Sequence, residues 1–181
     1  MANKYCNVLF ETRPEDVVKI KVPTGLTFQQ GNVIYCKTLD TSNSDNIEVY
    51  SATPISDYTA QIPVLVINQG FEELTDGRRP TGQADPTQFV YRAGQTITGI
   101  RLRKGQKFEI SEDALDNTGV VALAAGVYLI PQNDDYDLAT ASSAGSSASA
   151  LYVEKKTTKG IGGQFGGTFI TTAICVVDVG L

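Results

Sequence analysis

Short β-type runs punctuated by turn residues constrain the fold of this chain more than any other feature. Val17-Val18-Lys19-Ile20-Lys21-Val22 alternates, setting Val18, Ile20 and Val22 on one face and the two lysines on the other. Alternation of that kind marks a strand, whose side chains point to opposite faces in turn. Pro23-Thr24-Gly25 then breaks the run. Comparable runs follow at 32–36, 47–50, 61–67, 88–92, 96–103, 107–110, 126–130, 150–154 and 168–179. About ten strands at this spacing predict an all-β fold, an antiparallel β-sandwich or barrel or two small stacked β modules, with minimal helix. Pro63 cannot donate to a ladder, so its run is expected at an edge or a bulge. Helix signals stop at single turns: Ser111 as a cap for Glu112-Asp113-Ala114-Leu115, and Gly70-Phe71-Glu72-Glu73-Leu74.

With 181 residues the chain reads as a single β domain, 1–181, divisible into sub-modules 1–70 and 88–181 joined by loop 71–87. Thr75–Thr87 is rich in Gly, Pro, Asp and Arg, and Ala139–Ala150 is an Ala/Ser/Thr stretch, so both read as long loops, the second flexible by composition. Gly160–Gly167 joins the last two strands. A faint internal echo places Gly31, Gly105 and Gly126 each just ahead of an alternating run, where glycine supplies the positive φ of a tight turn.

Composition closes several functional classes. Hydrophobic residues at 41% exclude a disordered chain. Fifteen Lys+Arg against twenty Asp+Glu, a net charge of −5, argue against a nucleic-acid partner, whose grip comes mostly from cations on phosphates. No apolar run approaches the roughly 20 residues of a membrane helix, so no membrane partner is expected. The opening Met1-Ala2-Asn3-Lys4-Tyr5-Cys6 lacks the apolar stretch of a secretory signal, so synthesis in a cytoplasm is expected. Histidine is absent. That removes the Ser-His-Asp and Cys-His arrangements and the side chain best suited to proton transfer near neutral pH. Cys6, Cys36 and Cys175 form no CxxC pair and sit among β-type neighbours, which reads as buried free thiols.

The remaining constellations are weak as chemistry. Asn133-Asp134-Asp135-Tyr136-Asp137 lacks the ligand spacing of a calcium loop and reads as a solvated turn. The glycine-rich 160–167 segment opens a strand, whereas phosphate-cradling loops open a helix. A carboxylate hydrolase drawing on Asp134, Asp135, Asp137, Glu72 and Glu73 has no motif behind it. No catalytic, cofactor-binding or metal-ligating residue is therefore expected, and no cofactor. Two features point to protein contacts instead. Arg101, Arg103, Lys104 and Lys107 form a basic cluster, with Arg101 and Arg103 on one strand face. Tyr5-Cys6-Asn7-Val8-Leu9-Phe10 is an apolar strand with no hairpin partner close by, a hazard unless a neighbouring subunit pairs with it. The expected subunit contacts are Tyr5, Val8, Phe10, Arg101, Arg103 and Lys107, together with the Ala139–Ala150 loop.

One stretch resembles a known kind of protein. Tyr91-Arg92-Ala93-Gly94-Gln95, then Arg101-Leu102-Arg103-Lys104-Gly105-Gln106-Lys107-Phe108-Glu109-Ile110-Ser111, precede Gly126-Val127-Tyr128-Leu129-Ile130-Pro131-Gln132-Asn133. The order resembles small head proteins of tailed bacteriophages, encoded beside the major capsid protein. In these an "L-x-x-G-x-x-F-x-I-S" strand pair leads to a "G-x-x-L-x-P-Q-N" strand, an Ala/Ser/Thr-rich stretch and two closing strands. The sharp part covers about residues 91–135, and the insert Gln88–Gly99 departs from the pattern. The resemblance implies a structural virion protein that binds the major capsid protein as a decoration, cement or minor head protein, with no catalytic residues. Such proteins are expected as trimers or other closed cyclic homo-oligomers. The alternative is a tail or head-fibre module for host-surface glycans: eight tyrosines are available, but no tryptophan.

Overall fold

A computed structural model describes residues 4–10, 13–40, 48–67, 90–116, 121–161 and 168–180. These residues form an all-β molecule: β1 (Cys6–Phe10), β2 (Val17–Lys21), β3 (Thr27–Phe28), β4 (Val33–Leu39), β5 (Val49–Thr53), β6 (Val64–Val66), β7 (Tyr91–Arg92), β8 (Thr96–Arg101), β9 (Lys107–Ser111), β10 (Leu115–Asp116), β11 (Tyr128–Ile130), β12 (Leu138–Ala141), β13 (Ala150–Ile161) and β14 (Thr168–Val179). A seven-stranded sheet runs β1-β9-β14-β13-β11-β12-β10, a closed five-stranded barrel runs β2-β5-β4-β6-β8, and β3 pairs with β7. Pairing is antiparallel except at β2–β5 and β10–β12.

Alternation decides what each strand buries. In β2, Val18 and Ile20 join Val22, Ile34, Val64, Val66 and Ile97 inside the barrel, and Lys19 faces outward. Leu65 in β6 and Val33 in β4 point the other way and join the second core with Ile100, Phe108, Ile110, Leu129, Leu151, Val153 and Cys175. The barrel wall thus serves two cores, its own interior and the face it shares with the large sheet. Every fully buried aliphatic side chain contributes about 1.5–3 kcal/mol, so this double use matters to a chain of this length.

The glycine echo is a real structural device: among the described residues, four turns with glycine in third place are each clasped to a valine. Asn32 N donates to Gln29 O, Gln95 N to Arg92 O, Gln106 N to Arg103 O and Val127 N to Ala124 O, each closing a four-residue turn. The third residue in each is Gly31, Gly94, Gly105 or Gly126, with φ of 86°, 84°, 93° and 90°. That is the left-handed region a type II turn requires there, which favours glycine. Each turn then fastens to a valine by two backbone bonds. Gly31 N donates to Val66 O and Val66 N to Asn32 O; the same exchange links Gly94/Gln95 to Val22, Gly105/Gln106 to Val177, and Gly126/Val127 to Val153. In three of the four, the side chain after the glycine (Asn32, Gln95, Gln106) also accepts the N–H that opens the turn.

Several expectations need correction. The two sheets do not divide the chain at 71–87: β1 crosses to the large sheet, and β8 returns to close the barrel. Pro63 does not mark an edge, because β6 lies between β4 and β8; Pro63 stands just before the ladder and its carbonyl accepts from Leu102 N. Ser111 does not cap its turn, since its hydroxyl accepts from Tyr5 N at 2.8 Å. Ala139–Ala150 is no flexible loop: β12 occupies its start, Ser147 and Ser149 are buried, and Ser149 Oγ donates to Val179 O at 3.1 Å. Small side chains let that backbone pack on its own domain, a contact that composition alone does not reveal. The cysteines are free and buried, as their neighbours implied. The Gly70–Leu74 turn, loop Thr75–Thr87 and the carboxylates Glu72 and Glu73 lie outside the described residues, as does the 162–167 part of the glycine-rich segment.

Candidate interaction surface

One face of the large sheet packs on the barrel, and the pleat gives the other face a different set of residues. Register places Tyr128, Tyr152, Val176 and Lys107 in one row across β11, β13, β14 and β9. The next row holds Lys155, Ile174, Glu109 and Asn7. Tyr128, Tyr152, Ile174 and Val176 are half-buried and belong to none of the hydrophobic clusters among the described residues. The two tyrosine rings meet edge to face at 5.3 Å. Tyr128 donates its hydroxyl to Asp178 Oδ2 at 3.3 Å; partial desolvation, then the Asp178 charge, push its phenol above the ordinary value.

The closing hairpin outruns this sheet. β9 pairs with β14 only over 172–176, and β11 pairs with β13 only at 151–152. Beyond those residues the hairpin is a two-stranded ribbon among the described residues, registered through Gly160 with Phe169 and Ile161 with Thr168. By parity Phe169 lies on the core-facing side with Ala173 and Cys175, but the strand has already passed the core, and Phe169 is 79% exposed.

A two-stranded ribbon is marginal by itself, and a polar anchor holds its root. Lys159 Nζ lies 2.7 Å from Glu109 Oε2, Thr172 Oγ1 donates to Glu109 Oε1 at 3.0 Å, and Lys159 Nζ also donates to Tyr5 Oη at 3.3 Å. Its hydrogen bond to Glu109 first, and that to Tyr5 after it, hold the Lys159 ammonium above its ordinary value against desolvation. Tyr5 in turn packs on Ile170.

The six expected contact residues divide differently. Tyr5 is buried at the ribbon root, and Val8 is half-buried against the main core. Phe10 ends β1 in register with Lys107. The terminal strand therefore has its partner inside its own domain. That partner is β9, roughly a hundred residues away, which is why no hairpin partner is visible nearby in the sequence. The expectation that β1 must pair with a neighbour is overturned, although β1 remains the edge of the sheet.

The basic cluster is not one face either. Arg101 ends β8 with its guanidinium 5.2 Å from the Tyr50 ring centroid, while Arg103 lies past the strand and turns to Asp16. Lys107 pairs with Glu154 at 2.8 Å. In the acidic turn, Asp135 accepts the N–H groups of Tyr136 and Asp137, and Asn133 Oδ1 accepts from Tyr58 N. Among the described residues no three metal-ligating side chains converge, and no helix is long and apolar enough to cross a membrane.

Sequence reading missed Phe169 and the Tyr128–Tyr152–Val176 row. Alternation marks both as strand, but only register shows which strands stand beside them. No protein-family model, no curated protein and no solved structure matches the chain.

Proposed function

We propose that this chain is a structural protein of a bacteriophage head, docking on the major capsid protein as a decoration, cement or minor head protein. It works there as a closed cyclic homo-oligomer, in a virion assembled in the host cytoplasm. The resemblance across residues 91–135 motivates this reading. The observation that carries it is Phe169, 79% exposed on a ribbon anchored by Glu109 and Lys159; a second apolar set, the half-buried row Tyr128, Tyr152 and Val176, stands on the opposite sheet face. Ordered aromatic side chains on a sheet face are typical of surfaces that another protein covers. The charges nearby are largely engaged in internal pairs, Lys107 with Glu154, Lys156 with Glu112 and Lys159 with Glu109, so apolar contact dominates this surface.

The test is a mass-spectrometric inventory of purified, tail-free heads. The chain is expected at a copy number comparable to the capsid protein, and absence from the heads rejects the reading. Phe169→Asp is expected to lower head occupancy while the isolated protein keeps its wild-type circular dichroism. Antibody labelling at the tail tip, with heads unlabelled, would favour the glycan-binding module instead.

A further inference from the structure

An open groove of about 300 Å³ lies at the seam between the barrel and the large sheet, lined in part by Lys4, Gln29, Asn32, Tyr136 and Asp137. Three of these side chains come from distant parts of the chain. Lys4 precedes β1, Asn32 closes the Gly31 turn ahead of β4, and Asp137 stands before β12. Lys4 Nζ donates to both carboxylate oxygens of Asp137, at 2.7 Å to Oδ1 and 2.6 Å to Oδ2. Asn32 Nδ2 donates to that same Oδ1 at 2.6 Å and to Tyr136 O at 3.3 Å. Asn32 Oδ1 accepts from Gln29 N at 2.7 Å. The partners fix the amide's orientation, because a flip would turn its oxygen toward a carboxylate and a carbonyl.

Amine, amide and carboxylate are thus already assembled. The two nitrogens share one carboxylate oxygen, so they are no farther apart than the two hydrogen bonds laid end to end. Water has limited access: Asn32 is 6% exposed, and the side chains of Lys4 and Asp137 are 13% and 24% exposed. Tyr136 lines the groove, its ring edge to face on the buried Phe28 ring at 5.3 Å.

We propose that Lys4 and Asn32 condense into an intramolecular amide cross-link, with Asp137 as the proton carrier. Asp137 takes a proton from the Lys4 ammonium, and the freed lone pair attacks Asn32 Cγ. The charge that develops on Oδ1 meets the Gln29 N–H already aimed at it, a one-donor oxyanion site. Asp137 passes that proton to Nδ2 and takes the second proton from Nζ, the Cγ–Nδ2 bond breaks, and ammonia leaves. The product is a Nζ–Cγ amide plus one ammonia, so the step balances with no oxidant, water or co-reactant. An amide is a poor electrophile, but holding the reactants together inside a fold compensates through a high effective concentration. The bond ties the segment before β1 to the barrel, so the edge strand of the large sheet cannot peel away. Like a disulfide, it also limits the unfolded ensemble, in a chain whose three thiols are all free. The inference is independent of the phage-head reading.

The test is the intact mass of the denatured full chain, purified and then held at mildly alkaline pH. The expected species is lighter by one ammonia, and a protease digest yields a branched peptide joining residues 4 and 32. Lys4→Arg keeps a cation beside Asp137 but removes the nucleophile; Asp137→Asn removes the proton carrier. Both are expected to retain the full mass and wild-type circular dichroism. Three results would overturn the proposal: an unmodified mass in the folded wild-type chain; ammonia loss that persists in Lys4→Arg, which is asparagine cyclisation; and loss of water in place of ammonia, which is a bond to Asp137.

Discussion

Arg103 reaches back 87 residues to close a fork on Asp16, with Nε 3.0 Å from each carboxylate oxygen and Nη2 2.7 Å from Oδ1. Asp16 is fully buried, and Gln106 Nε2 supplies a further donor at 3.2 Å. Asp16 leads into β2 and Arg103 follows β8, so the pair locks the place where those strands close the barrel, at Val17 opposite Ile100.

Replacing Arg103 with Met strands the Asp16 carboxylate in the interior, a situation that costs about 3–5 kcal/mol. The exposed Lys107–Glu154 pair is a different case, and Lys107→Met is expected to cost less than about 1 kcal/mol. Urea midpoints of the two variants check the ranking. Equal midpoints would mean that Asp16 finds other donors.

Gly31→Ala should destabilise far more than Gly94→Ala. Both glycines have positive φ, which costs a residue with a Cβ about 1–2 kcal/mol. At Gly31, however, the added Cβ would stand 2.7 Å from Ala114 Cβ, while at Gly94 nothing lies within 4 Å. Equilibrium denaturation of the two variants should separate the steric cost from the backbone cost.

Deleting residues 2–10 is expected to unfold the large sheet. The deletion removes β1, strips β9 of a ladder and opens the shared core at Cys6, which is fully buried, and at Val8. Circular dichroism and proteolysis of the truncated chain give the answer. A stable, protease-resistant product would show that β1 contributes little to its own sheet.

The thiols should set part of the alkaline limit. Burial pushes Cys36 from its ordinary 9.0 up to about 12, with Arg101 pulling slightly the other way. Burial likewise raises Cys6 and Cys175, reinforced at Cys6 by Cys175 and Glu109, and at Cys175 by Glu154. A thiol whose folded value is raised favours the native state fully below the unfolded value of 9.0, and that contribution is lost as pH climbs from 9.0 toward about 12. Denaturation midpoints should therefore fall above pH 9.0, and Cys36→Ala should flatten the fall. In native buffer near neutral pH an alkylating agent should leave all three cysteines unmodified until denaturant is added.

Much of the fold was legible because strand formation leaves a local, period-two trace. Val18, Ile20 and Val22 alternate against their lysines and bury as the alternation requires. The free, buried cysteines followed from their neighbours, and the glycine echo pointed to turns that bind glycine for its positive φ. The candidate surface was less legible. Phe169 carries the same parity as the buried Cys175, and nothing local says that the core has ended before it.

The sequence by itself determined that the chain is all-β, where most strands lie and which side of each turns inward, because those properties depend on neighbours in the chain. Tertiary structure decided which strand meets which: β1 with β9, β2 with both β5 and β8, and Lys4 with Asn32 and Asp137. Backbone ladders carry no residue code, since any strand can donate to any other. Partnership is settled only when two alternating faces, their turns and their buried charges all fit at once.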